Sequence, residues 1–113
     1  MNELEAVEIS DKMTKHSIPC DSIWLDIEYT QDKKYFTWDN QTFGMASKLL
    51  HHLVEDGRKL VTIIDPHIKK DEDYFFYKDI ISKKLCILDN NGETPYVGWC
   101  WPKTSVWIDF MNP

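Results

Sequence analysis

The sequence predicts an α/β fold organised on two parallel strands, and three observations predict it. Apolar spacing changes type along the chain, reading helix, strand, helix, strand, helix, the order of a parallel α/β arrangement. The run Ile23-Trp24-Leu25-Asp26-Ile27-Glu28-Tyr29 reads as a strand buried on both faces, and Lys59-Leu60-Val61-Thr62-Ile63-Ile64 is a second, β-branched run. Each run delivers a carboxylate near its end, Asp26 in the first and Asp65 just past the second. A right-handed crossover would set the two strands side by side, with both acidic groups on one rim of the sheet.

The elements follow in order. From about Asn2 to His16, Ala6, Ile9 and Met13 recur at helical spacing; Glu3, Glu5 and Glu8 lie near the start and Lys12, Lys15 and His16 near the end, which suits the helix dipole. Pro19 pushes Ile18 off helical angles and ends the segment. A strand from Ser22 to Glu28 follows, then a polar stretch from Tyr29 to Thr42 carrying the aromatic cluster Tyr35-Phe36-Thr37-Trp38-Asp39. Loops of that length at a strand's carboxyl end tend to be functional. Met45, Leu49, Leu50 and Leu53 give a second helix from Gly44 to Asp56, with Gly57 placed to end it. The strand from Lys59 to Ile64 stops at Asp65-Pro66-His67, where Pro66 cannot donate to a ladder. Tyr74 to Lys84 is a third amphipathic helix. Leu85 to Leu88, a turn at Asn90-Asn91-Gly92 and a strand near Tyr96 to Trp99 form a hairpin signal, followed by an extended Ser105 to Phe110.

Composition excludes several classes. A formal charge of −6, with Lys33-Lys34, Lys69-Lys70 and Lys83-Lys84 scattered beside acidic residues, gives no basic stripe on which a nucleic acid could neutralise its phosphates. No apolar run approaches the roughly 20 residues that cross a bilayer. The acidic N-terminus reads as no signal peptide. Cys20, Cys86 and Cys100 have no Cys-x-x-Cys spacing and read as buried or half-buried thiols. With four glycines in the chain there is no Gly-rich phosphate loop, and no Gly-x-Ser-x-Gly elbow occurs. No cofactor is expected.

What remains is a set of carboxylates and flat aromatics. Asp26, Glu28, Asp65 and His67 fall at the two strand ends, with Trp99 and Trp101 on a later segment. A carboxylate accepts hydrogen bonds from sugar hydroxyls and an indole packs on the apolar face of a pyranose, so this combination suits a carbohydrate. Asp26 set in a doubly buried strand would cost several kcal/mol unless paired, which favours a functional role over a loop cap. Asp65, His67 and Asp26 match none of the recurrent zinc spacings, and His51-His52 read as surface residues of a helix, so no metal is expected.

Seven blocks carry a resemblance: Ile18-Pro19-Cys20-Asp21, Ile23 to Tyr29, Lys34-Tyr35-Phe36-Thr37-Trp38-Asp39, Arg58-Lys59-Leu60-Val61, Ile64-Asp65-Pro66-His67-Ile68-Lys69, Gly98-Trp99-Cys100-Trp101-Pro102 and Asp109-Phe110-Met111-Asn112-Pro113. In order and spacing they resemble the catalytic barrel of glycoside hydrolase family 31, and within it the neutral α-glucosidase branch that includes glucosidase II catalytic subunits. The resemblance implies a partial (β/α)8 barrel, α-β-α-β-α with two main parallel strands and a small hairpin, as one segment over residues 1–113. It implies a retaining α-glucosidase acting on terminal α-linked glucose of oligosaccharides or N-glycans. Asp26 would hold sugar hydroxyls, Ile63 and Trp101 would line that subsite, and Asp65, His67 and Trp99 would support it. A regulatory β-subunit and the lumen of the endoplasmic reticulum follow for a glucosidase II-like parent. The chain departs from the pattern at Gly44, where Pro is usual, at Lys103, where Gly is usual, and at Met111, where Thr is usual.

Retaining hydrolysis needs two carboxyl groups about 5–5.5 Å apart. The family's nucleophile lies in a Trp-x-Asp-Met-Asn-Glu stretch that these 113 residues do not contain, so no catalytic residue is assigned and the chain by itself is expected to be inactive and weakly stable. Two other readings stay open at this stage: a noncatalytic truncated product, and a small α/β module that binds a partner through Tyr35 to Trp38.

Overall fold

A computed structural model of the chain describes residues 1–112. It contains three helices, a parallel strand pair and an antiparallel sheet, with no closed barrel among the described residues. The residues divide into two compact units, Met1–Ile64 and a second that begins at Asp65.

The first unit opens on a capping box. Asn2 accepts from the Glu5 backbone N–H at 2.9 Å and Glu5 returns the bond to the Asn2 N–H at 3.0 Å, which starts α1 (Glu3–Lys15). After β1 (Ser22–Leu25) and the loop comes α2 (Ala46–Glu55), ended by Gly57 at φ +71°, where a side chain would be strained. Then β2 (Lys59–Thr62) pairs with β1 in parallel, Ile23 opposite Leu60 and Trp24 opposite Val61. Ala6, Ile23, Leu25, Tyr29, Phe43, Ala46, Leu49 and Leu53 form the core between the ladder and the two helices.

Two expectations need correction here. The ladder is covered on one face only: Ile23 and Leu25 are buried, whereas Trp24 and Val61 are 49% and 44% exposed on the other. Both helices lie on the Ile23 face, so an apolar run that looked doubly covered has only one layer against it. The strand also stops at Leu25 and not at Glu28. Asp26 accepts from the Ile27 N–H at 2.7 Å and starts a single 3-10 turn over Ile27–Tyr29, which ends the ladder.

At Gly44, a Cβ would stand 2.6 Å from the Asn40 carbonyl oxygen. The loop before α2 approaches itself too closely for the proline usual in the family pattern. The departure at residue 44 is thus matched by a backbone path that only glycine fits without a shift.

Beneath α1 and α2, Arg58 is 9% exposed and ties the first unit together. Its guanidinium donates to the Ser10 carbonyl at 2.9 Å, the Cys20 carbonyl at 3.0 Å, the Thr14 hydroxyl at 2.9 Å and the Asp56 carboxylate at 2.8 Å. One side chain therefore fixes α1, the turn into β1 and the turn into β2.

The second unit is an antiparallel sheet with one helix. β3 (His67–Lys69) and β4 (Val97–Cys100) both pair with β5 (Lys103–Trp107), in the order β3-β5-β4, and α3 (Phe75–Ser82) packs with it through Tyr77 and Ile80. Ile68, Tyr74, Tyr77, Ile80, Cys86 and Val106 are among its buried residues. The parallel ladder ends at Thr62, short of the expected Ile64 and before Pro66 is reached, and the chain re-enters a strand at His67 in the other sheet. Leu85–Leu88 is not a full strand: it makes isolated bridges, Cys86 to Ile108 and Leu88 to Pro95, the latter spanning the Asn90–Gly92 turn. The regular hairpin is the next one, β4 to β5 through Trp101-Pro102. Among the described residues no helix is long and apolar enough to cross a membrane.

Candidate sugar-binding site

In the first unit the parallel register brings two of the named residues together. Leu25 stands opposite Thr62, and the Ile63 N–H donates to the Leu25 carbonyl at 3.0 Å, so Asp26 and Ile63 leave adjacent strands at the same carboxyl edge. That edge is where α/β folds place their binding groups. Asp26 is exposed, not buried as the strand pattern suggested, because its ladder face has no covering layer in the unit. Ile63 is half-buried and packs against the core.

A cleft of about 240 Å³ opens beside this edge, lined by Met1, Leu25, Asp26, Glu28, Tyr29 and Phe43. It is smaller than the roughly 300–1,000 Å³ of a complete small-molecule site, as befits part of one. The long loop forms its wall. The Tyr29 hydroxyl donates to the Ile63 carbonyl at 3.1 Å, and burial pushes the phenol pKa up, keeping the proton on. Trp38 stacks at tilted angles on Tyr29 and Phe43, with centroids 5.2 and 5.9 Å away, so the aromatic cluster mainly packs the loop onto the core.

The second unit holds the other four. Asp65 is half-buried and His67 is buried, with its Nε2 4.0 Å from the Asp65 carboxylate and its Nδ1 3.3 Å from the Cys100 sulfur. Trp99 on β4 and Trp101 in the following turn are 76% and 68% exposed. The indoles flank Cys100 in sequence, and the cysteine reaches the histidine.

Burial holds the His67 imidazole pKa below its ordinary value, with Asp65 pulling weakly the other way. The unfolded chain therefore binds more protons than the folded one in the window below about pH 6.5. Stability is present in full above that value and is lost as pH falls through the window. A urea titration series should show this dip, and His67→Gln should flatten it; an identical slope in the variant would refute the assignment.

Lys103 has φ +78°, in the left-handed region, at the position where the family pattern carries Gly. The conformation costs a side chain roughly 1–2 kcal/mol, partly offset by the flexibility glycine adds to the unfolded chain. Lys103→Gly is accordingly expected to raise unfolding free energy by about 0.5–1 kcal/mol, read from the shift in denaturation midpoint at unchanged slope.

One cluster has the geometry to hold a cation: Asp11, His52 and Asp56 place ligand atoms within 4.8 Å of one another. His52 is 2.9 Å from Asp11 and 3.7 Å from Asp56, and Arg58 already lies 2.8 Å from Asp56. The His52 ring and the Arg58 guanidinium thus already engage these carboxylates, and the His52–Asp11 contact joins α2 to α1.

Comparison with known proteins decides the family. The model of the glycosyl hydrolases family 31 TIM-barrel domain matches residues 1–113. The chain belongs to glycoside hydrolase family 31. Its family 31 relatives include the glucosidase 2 subunit alpha of Saccharomyces cerevisiae, 46% identical over 111 residues, a match spanning 98% of this chain and 11% of the relative. Human neutral alpha-glucosidase AB is 40% identical over 112 residues, covering 99% of this chain and 12% of the relative. Among solved structures, a glucosidase II alpha subunit bound to Glc1Man2 superposes with a TM-score of 0.95 at 46% identity, over 99% of this chain and 12% of that one. The family 31 segment described here thus spans about an eighth of the length of the relatives it matches. Sequence reasoning missed two polar centres. Arg58 was visible only as a charge before a strand, and the contact of Cys100 with His67 joins residues 33 positions apart.

Proposed function

We propose that this chain is one segment, residues 1–113, of the catalytic barrel of a retaining α-glucosidase that removes terminal α-linked glucose from oligosaccharides or N-glycans. Its part is to hold the sugar, and the reacting carboxylates lie elsewhere in such a barrel. The observation that carries the reading is the β1–β2 ladder, which sets Asp26 and Ile63 side by side at a carboxyl edge beside a cleft, in a chain matched throughout by the family 31 barrel. Asp26 accepts hydrogen bonds from hydroxyls of the terminal glucose and Ile63 borders its ring. By resemblance Trp101 lines the same subsite, with Asp65, His67 and Trp99 supporting it. A regulatory subunit and the endoplasmic reticulum are the partner and compartment for the longer protein, by likeness to the ER glucosidase II complex of a catalytic subunit with the binding domain of its regulatory subunit.

The test is a chimera in which these residues replace the matching stretch of the glucosidase II alpha subunit. It is expected to hydrolyse an aryl α-glucoside, while the 113-residue chain alone turns over none. Asp26→Ala in the chimera removes charge-assisted hydrogen bonds worth about 1.5–3 kcal/mol, a fall of roughly 10- to 150-fold in kcat/KM. Undiminished kcat/KM in that variant would rule Asp26 out as a sugar ligand, and an inactive but folded chimera would favour a noncatalytic binding module.

A further inference from the structure

Cys100 ends β4, and its side chain meets His67 from β3 although their partners on β5, Lys103 and Trp107, are well separated. The small sheet must curl over to bring them together. Sγ lies 3.3 Å from Nδ1, the imidazole is 5% exposed, and the Asp65 carboxylate faces the opposite ring nitrogen at 4.0 Å. Thiol, imidazole and carboxylate therefore stand in sequence, the order in which a base-assisted sulfur nucleophile is arranged. The other two cysteines lack this. Cys20 is placed to donate to the Ser22 carbonyl at 3.4 Å, and Cys86 is buried, which pushes its thiol pKa up.

We propose that Cys100 is a modification site for small α,β-unsaturated carbonyl electrophiles, with His67 as its base and Asp65 as the group that steadies the imidazolium. A proton on Nε2, facing Asp65, leaves the Nδ1 lone pair directed at the S–H. In the reaction a sulfur lone pair forms the S–C bond to the β-carbon while the C=C π pair moves to the α-carbon and carbonyl as an enolate. The thiol proton passes to Nδ1, and the imidazolium then returns a proton, directly or through water, to the α-carbon of the enolate, which regenerates the neutral ring. The step is a net addition; nothing is oxidised or reduced. Burial keeps His67 neutral near pH 7, hence able to accept that proton, and Cys100 is half-buried and not enclosed in the core as Cys86 is.

The test uses N-ethylmaleimide on the 113-residue chain at neutral pH, with the adduct on each cysteine followed by peptide mass spectrometry. Cys100 should react at least about tenfold faster than Cys20, the other half-buried thiol, and Cys86 should be slowest. His67→Gln should slow Cys100 by about tenfold or more and leave Cys20 unchanged. Asp65→Asn, at a partly exposed position, should slow it several-fold without opening the core. In urea the three rates should converge. The proposal fails if Cys100 reacts no faster than Cys20, if His67→Gln leaves its rate unchanged or raises it as simple access would, or if the rate order survives in urea.

Discussion

Arg58→Ala is expected to lower the unfolding free energy of the first unit by about 3–5 kcal/mol, the usual consequence of removing one partner of a buried charged network. The guanidinium is the common donor to two backbone carbonyls, the Ser10 and Thr14 hydroxyls and a carboxylate that belong to α1, the Cys20 turn and the Asp56 turn. Truncation removes their shared charged donor, leaving the Asp56 carboxylate with the Ser10 hydroxyl at 3.1 Å and no guanidinium, and the side-chain volume is lost as well. Arg58→Lys should recover less than half of the loss, because a single ammonium cannot reproduce a planar fork aimed in three directions. Native-state hydrogen exchange along α1, with a urea titration followed by circular dichroism, measures it. A loss below about 1 kcal/mol would mean that the network is no better than a surface ion pair.

The second large effect is expected at Phe43. Its ring is 2% exposed, packs on Trp38 and forms part of the cleft wall beside Asp26. Phe43→Ala should cost about 3–5 kcal/mol through lost burial and the cavity left behind. It should also loosen Trp38, so that indole fluorescence shifts red at denaturant concentrations where α2 is still formed. Since a domain has only about 5–15 kcal/mol of net stability, either substitution consumes a large part of it. A midpoint within error of the parent's would show that the ring is not part of the core.

Which features were legible follows from the range of the interactions that make them. The helices and the parallel pair are written locally: the Asn2 and Glu5 capping partners are three residues apart, and Ile23 and Leu60 sit in apolar runs whose type is plain. The β3-β5-β4 sheet was not legible, since His67–Lys69 is only three residues long and pairs with residues close to the end of the chain. Burial was misjudged at Asp26 for a related reason. A run of apolar residues says that a face wants a cover and not whether these 113 residues supply one. The family pattern helped at the departures, where Gly44 and Lys103 each met an identifiable backbone circumstance.

The bond from the Tyr29 hydroxyl to the Ile63 carbonyl latches the loop above β1 to the neighbouring strand end. The Asp26 carboxylate at the same strand end accepts from the Ile27 N–H at 2.7 Å, which holds its position locally. In the site proposed above, docking a sugar there would forfeit little conformational entropy. Selectivity in that proposed site would then be a matter of hydroxyl stereochemistry against a fixed acceptor.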